Sequence, residues 1–148
     1  MQPKLIYLIG SLRNPEVPHI GNQLREKGFE VFDDWFAGGR IADDEWRDYE
    51  RNRGRTYREA LRGYAAEHVF GFDLFHLNRS SIGLLVLPAG KSGHLELGYL
   101  LGQGKPGYVL FTEEPKDDRW DIMYQFANDV FFDLGDCVDS IARHHPTA

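Results

Sequence analysis

The stretch from Ile82 to Pro106, IGLLVLPAGKSGHLELGYLLGQGKP, constrains the fold more than any other. Ile82 to Leu87 is an unbroken apolar run, the pattern of a strand buried on both faces. Pro88-Ala89-Gly90 ends it, and Pro88 to Ser92 reads as a loop. From Gly93 to Gln103 the spacing predicts a helix with Leu97, Leu100 and Leu101 on its buried face. Glu96 then falls in the first turn, one step off that face. A carboxylate just past a strand's carboxyl end, beside a Gly/Ser loop, stands where open α/β sheets bind their ligands.

The rest of the chain repeats this strand-then-helix grammar. Leu5 to Ile9 is a second continuous apolar run, closed by Gly10-Ser11. His19 to Lys27 reads as a short helix stopped by Gly28, and Phe29 to Phe32 as a strand ending at Asp33-Asp34-Trp35. Ala37-Gly38-Gly39 reads as flexible, followed by a helix over Asp43 to Tyr49. From Thr56, apolar residues at three- and four-residue spacing predict a longer helix reaching Leu77, with a break at Gly71 as an option. Gly107 to Phe111 reads as a fourth strand and Val130 to Phe132 as a fifth. Asp121 to Ala127 reads as a short helix and Asp136 to Arg143 as a terminal one, with His144 to Ala148 frayed. The alternation implies a single α/β domain spanning 1–148. Its flavodoxin- or Rossmann-like five-stranded parallel sheet would take the order 2-1-3-4-5, with helices on both faces and a helical insertion after the second strand. In that order the Gly10-Ser11 loop and the Pro88–Ser92 loop lie side by side at the switch point.

Composition removes several function classes. A formal charge of −6 argues against gripping nucleic acid through bulk electrostatics, while leaving small phosphorylated ligands open. The lone Cys137 allows no internal disulfide and offers no metal-ligand spacing, which fits a reducing compartment. The apolar run near the N-terminus is shorter than a signal peptide's core and nothing approaches a membrane span, so a cytoplasmic location is expected. His68, His76 and His94 lack ligand spacing with one another; neither a metal nor a cofactor is assigned.

Glu96 is the first candidate for chemistry. An ionised carboxylate facing an apolar cleft suits a nucleophile toward an electrophilic sugar carbon, and a helix N-terminus favours the ionised form. The plainer reading is a surface carboxylate that complements the helix dipole. Lys91 and Ser92, beside backbone amides at the helix start, suit a phosphate; a solvated lysine is the plainer alternative. Trp35, Phe36 and Trp46 offer faces on which a heterocyclic base could stack, or simply pack. Arg47, Arg51, Arg53, Arg55, Arg58 and Arg62 alternate with acidic residues, the signature of a salt-bridged solvated face.

IYLIGS in the first strand, EVFDDW in the second and GHLELGYLLGQGKP in the third unit together resemble the nucleoside 2-deoxyribosyltransferase family. Its superfamily includes nucleoside 5′-monophosphate N-glycosidases. The resemblance implies that Glu96 attacks the anomeric carbon, that Asp73 helps hold the sugar or leaving base, and that Tyr7 partners the catalytic carboxylate. The substrate pocket expected beside it comprises Gly10, Ser11, Asp34, Trp35, Gly90, Lys91, Ser92 and Gly93, from the two switch-point loops and the end of the second strand. The resemblance also implies a nucleoside or nucleotide as the small-molecule partner, with no nucleic acid or membrane partner. A homodimer or larger homo-oligomer is implied as well, with Asp121 or Asn128 near the neighbouring site. Gly90 stands where family transferases commonly carry an aspartate, which favours a phosphorylated substrate and hydrolysis as the alternative to transfer. A non-catalytic nucleotide sensor and an NAD-cleaving enzyme are further alternatives.

Overall fold

The computed structural model describes residues 3–117 and 119–147. Five parallel strands form one sheet in the order β2-β1-β3-β4-β5, as the alternation predicts. The strands are β1 (Leu5–Ile9), β2 (Glu30–Phe32), β3 (Ile82–Val86), β4 (Gly107–Leu110) and β5 (Asp129–Phe131). The helices are α1 (Val17–Glu26), α2 (Ala42–Asn52), α3 (Tyr57–Ala60), α4 (Tyr64–Arg79), α5 (Lys91–Gly102) and α6 (Leu134–His144). Among the described residues no helix is long and apolar enough to cross a membrane.

Strand parity divides the core in two. Ile6 and Leu8 of β1 pack with Val17, Ile20 and Leu24 of α1 and Cys137, Val138 and Ile141 of α6. Leu5, Tyr7 and Ile9 point to the other face, with Leu77 of α4 and Leu97 and Leu100 of α5. Each such buried aliphatic side chain contributes about 1.5–3 kcal/mol, so β1, buried along its whole length, anchors both layers. The same parity sends Tyr7, the one polar-tipped residue of the strand, to the α4/α5 face.

The register then builds a row across that face: Phe32, Tyr7, Gly83 and Gly107 are successive partners on β2, β1, β3 and β4. The aromatic half lies toward α4, the glycine half beneath α5. A Cβ on Gly83 would fall 2.6 Å from Leu100 Cδ1, and one on Gly107 would fall 2.8 Å from Leu97 Cδ1. The two missing side chains let α5 settle directly onto the sheet.

Several element boundaries differ from expectation. Helix α1 begins at Val17, because Pro18 sits in its first turn, where a missing N–H costs nothing. Ala37-Gly38 belongs to a 3₁₀ turn over Asp34–Gly38. The long helix from Thr56 is two helices: α3, held by a Thr56/Glu59 capping box, ends after one turn, and α4 starts at Tyr64 with Gly63 as its N-cap. Gly71 does not break α4. Helix α5 starts at Lys91, two residues early, with Gly90 as N-cap, so Lys91 and Ser92 are helical and Glu96 lies in the second turn. Ile122–Phe126 forms a 3₁₀ turn capped by Asp121, not an α-helix. The C-terminal residues are tied down: Tyr108 Oη lies 2.7 Å from His145 Nε2, and Thr147 Oγ1 donates to Lys27 O at 3.0 Å. Ala148 is outside the described residues.

Candidate active site

The α4/α5 face gathers the three predicted catalytic residues. Tyr7 Oη donates a 2.8 Å hydrogen bond to Glu96 Oε2, joining β1 to α5. Asp73 of α4 is close enough to act electrostatically on both. Burial pushes the Glu96 carboxyl up to about 7; the Tyr7 hydrogen bond opposes the shift and Asp73 adds to it. Desolvation raises Asp73 to about 6. The Tyr7 hydroxyl is driven far up, first by burial and then by the two carboxylates, so it stays a donor. Burial thus works against the ionised form that the helix dipole favours, without abolishing it near neutral pH. Glu96 lies beyond the first turn, where the dipole acts, and burial outweighs it.

At the switch point the two loops line an open groove of about 400 Å³. It is lined by Ser11, Arg13, Asn14, Pro15, Pro88, Ala89 and Gly90. Ser11 Oγ accepts from the Arg13 amide at 3.1 Å, which shapes the β1 loop. Arg13 is the one cationic side chain in that lining, and 3.7 Å from Asp44 of α2 it is loosely paired and mostly exposed. Sequence reasoning passed over Arg13; its place two residues after Ser11, in the loop that closes β1, was the available signal. Lys91 and Ser92 are exposed in the first turn of α5, beside Gly90.

Three predicted pocket residues do other work. Gly10 sits under Val17 and Trp35, and Gly93 faces Leu85 and Ile9, so both serve close packing. Trp35 donates its indole Nε1–H to Leu8 O at 2.7 Å, which fixes the ring as a wall and leaves no free donor. Asp34 is exposed at the start of the 3₁₀ turn. Among the described residues no cluster of His, Cys, Asp and Glu could hold a metal.

Asp121 and Asn128 lie elsewhere, in a cleft of about 560 Å³ on the β4/β5 side of α5, shared with His94, Lys105, Met123 and Tyr124. Both are engaged within their own chain. Asp121 caps the Met123 amide at 2.8 Å, and Asn128 Oδ1 accepts from Gly107 N at 2.9 Å. His94 Nδ1 lies 2.8 Å from Gly90 O and its Nε2 2.9 Å from Tyr124 Oη. A carbonyl only accepts, so the proton is on Nδ1 and Tyr124 donates to Nε2.

A half-buried carboxylate with a tyrosine donor, in a parallel sheet whose switch-point loops line a groove containing Arg13, suits a small-molecule α/β site. No family model matches the chain, and no curated protein matches it. Solved structures do share the fold. The 2-deoxyribosyltransferase from Bacillus psychrosaccharolyticus superimposes with a TM-score of 0.62 at 19% identity, over 97% of this chain and 96% of that one. The CMP N-glycosidase BcmB of Clostridium botulinum gives 0.56 at 12% identity, over 93% and 98%. The fold is thus one used by a deoxyribosyltransferase and by an N-glycosidase, across nearly the whole chain.

Proposed function

We propose that the protein cleaves the N-glycosidic bond of a nucleoside or nucleotide through a glycosyl ester on Glu96. The observation that carries this reading is the 2.8 Å Tyr7–Glu96 hydrogen bond, with Asp73 alongside. The fold shared with the two enzymes above and the family resemblance of the Glu96 helix support it. In the first step Glu96 attacks C1′; the C1′–N bond breaks, its electron pair goes to the base, and the base leaves as an anion that takes a proton from solvent. In the second step another base, or water, bonds to C1′ and the ester C–O bond returns its pair to Glu96. Two inversions give net retention. Asp73, raised to about 6, holds the sugar or base beside the reacting carbon.

The groove supports a second reading, hydrolysis of a nucleoside 5′-monophosphate. Arg13, Ser11 and the amides of Lys91 and Ser92 at the N-terminus of α5 suit a phosphate, and Gly90 puts no carboxylate there to repel it. A homo-oligomer is part of the proposal. Tyr64, Phe70, Phe72 and Phe75 on α4 and Trp120, Ile122 and Phe126 near the 3₁₀ turn all lie exposed, an apolar surface that a second copy would cover. With Asp121 and Asn128 already bonded, those apolar residues are the ones free to reach a neighbour.

The test is direct. The protein is incubated with a deoxynucleoside plus a second base, and separately with nucleoside monophosphates. Base exchange supports transfer; release of base and sugar phosphate supports hydrolysis. Binding without turnover identifies a sensor, and full activity in Glu96→Ala overturns the mechanism.

A further inference from the structure

His76 is absorbed by none of this, yet it is among the most carefully held side chains of the molecule. It follows Asp73 by one helical turn on α4, and Leu77, in the same stripe, is buried in the core, so both residues border the sheet-facing side. Its imidazole lies flat on Phe32, with centroids 4.0 Å apart and an interplanar angle of 16°. Phe32 in turn packs against Tyr7 at 5.0 Å. Phe72 and Phe75 meet the imidazole edge-on at 4.7 and 5.1 Å. Three rings therefore fix the plane of the fourth, and one of them, Phe32, is the ring that separates His76 from Tyr7.

The tautomer is fixed as well. Arg79 Nε donates to His76 Nδ1 at 2.8 Å, and Arg79 is itself held by Glu30 at 3.1 Å. A guanidinium has no lone pair to offer, so Nδ1 must keep its own and the proton sits on Nε2. No hydrogen bond among the described residues uses that Nε2–H. A second proton on the ring would face the Arg79 guanidinium. Burial first and Arg79 second lower the His76 pKa, against smaller opposing effects of Asp34 and Glu30, so the ring is neutral.

We infer that His76 contacts the leaving base, presenting a neutral Nε2–H to an acceptor atom of the heterocycle as the C1′–N bond breaks. The inference rests on the glycosyl-transfer reading and extends it to the leaving-group side. Negative charge develops on the base when the bond's electron pair moves onto it, and a pre-oriented donor there stabilises the transition state more than the ground state. A neutral imidazole holds its proton, so His76 acts as a hydrogen-bond donor; the proton the base acquires comes from elsewhere.

The test compares two leaving groups on the same sugar: the base of a nucleoside or nucleotide that the wild type cleaves, and a nitrophenolate, which leaves as a stable anion. His76→Phe keeps the ring stack and removes the donor; His76→Gln keeps a donor. We expect His76→Phe to lower kcat/KM on the natural substrate about 10- to 100-fold, His76→Gln to recover part of that, and both to stay within about twofold of wild type on the nitrophenyl glycoside. Equal losses on both substrates, or no loss on either, would reduce His76 to packing and overturn the inference alone. A wild-type protein that releases base from no nucleoside or nucleotide overturns the glycosyl reading and this inference with it.

Discussion

Glu50 and Glu96 are both carboxylates withdrawn from water, and their surroundings differ in one decisive respect. Glu50, on α2, is 2% exposed and lies between Arg53 and Arg55, with Nη1 atoms 3.4 and 3.2 Å from its two oxygens. Asp33 repeats the pattern with Arg25 at 2.6 Å. Among the described residues no cation pairs with Glu96; its neighbours are a phenol and a second carboxylate. Where a carboxylate ties elements together, this fold supplies a guanidinium. Where none is supplied, the charge is left costly to form, and such uncompensated groups cluster at working sites. The contrast is chemical, because depth of burial by itself would have picked Glu50.

The largest expected effect follows from that contrast. Glu96→Gln removes the nucleophile while keeping the shape, and should lower kcat by about a thousandfold or more in a base-release assay. Glu50→Gln should leave kcat/KM within a few-fold. Its cost appears instead in urea unfolding, as a loss of about 1–3 kcal/mol, since Arg55 keeps a half-buried charge without its partner. Activity that follows Glu50 as closely as Glu96 would erase the distinction between the two sites.

The same Glu→Gln change should have the opposite sign on stability at position 96. The folded Glu96 carboxyl titrates near 7 against an ordinary 4.5. A raised carboxyl pKa contributes stability that is complete below the unfolded value and is lost as pH rises through the folded one. At pH 8 the wild type therefore carries a penalty that Glu96→Gln lifts. The variant should be more stable by about 1–2 kcal/mol after allowance for partial solvation, and the gain should vanish below pH 4.5. Thermal unfolding of both proteins at the two pH values measures it. A gain that persists in acid would assign the effect to packing.

These charge relations are where the sequence was least legible. The five apolar runs and their alternation with helices gave the sheet and its order, because strand burial is written in local composition. Helical period put Glu96 at the border of the α5 buried face. The start of α5 was misplaced because Gly90 caps it without a side-chain hydrogen bond, so no capping residue marks the spot. The raised pKa of Glu96 was hidden too, because it depends on burial supplied by segments far away in the chain. The Phe32–Tyr7–Gly83–Gly107 row and the clamp on His76 are likewise properties of register and tertiary contact. Neither leaves a periodic trace.

The smallest effect is the sharpest test of the Glu96 surroundings. Burial raises the Glu96 pKa, the Tyr7 hydrogen bond lowers it and Asp73 raises it. Tyr7→Phe removes the lowering contribution, so ionisation of Glu96, and with it the acidic limb of kcat/KM, should move to higher pH. Asp73→Asn removes a repelling charge, and the limb should move to lower pH. At pH 6 the Tyr7→Phe displacement alone costs roughly three- to tenfold in rate, since each unit of displacement is about tenfold. The position of the limb, rather than its height, is the readout, because either residue can also touch substrate. In the double variant the two displacements oppose each other, and the limb should return toward its wild-type position if Tyr7 and Asp73 act on Glu96 independently. Displacement of both single variants in the same direction would mean that each acts by loosening the packing of α5 on the sheet, and the charge logic separating Glu96 from Glu50 would lose its ground.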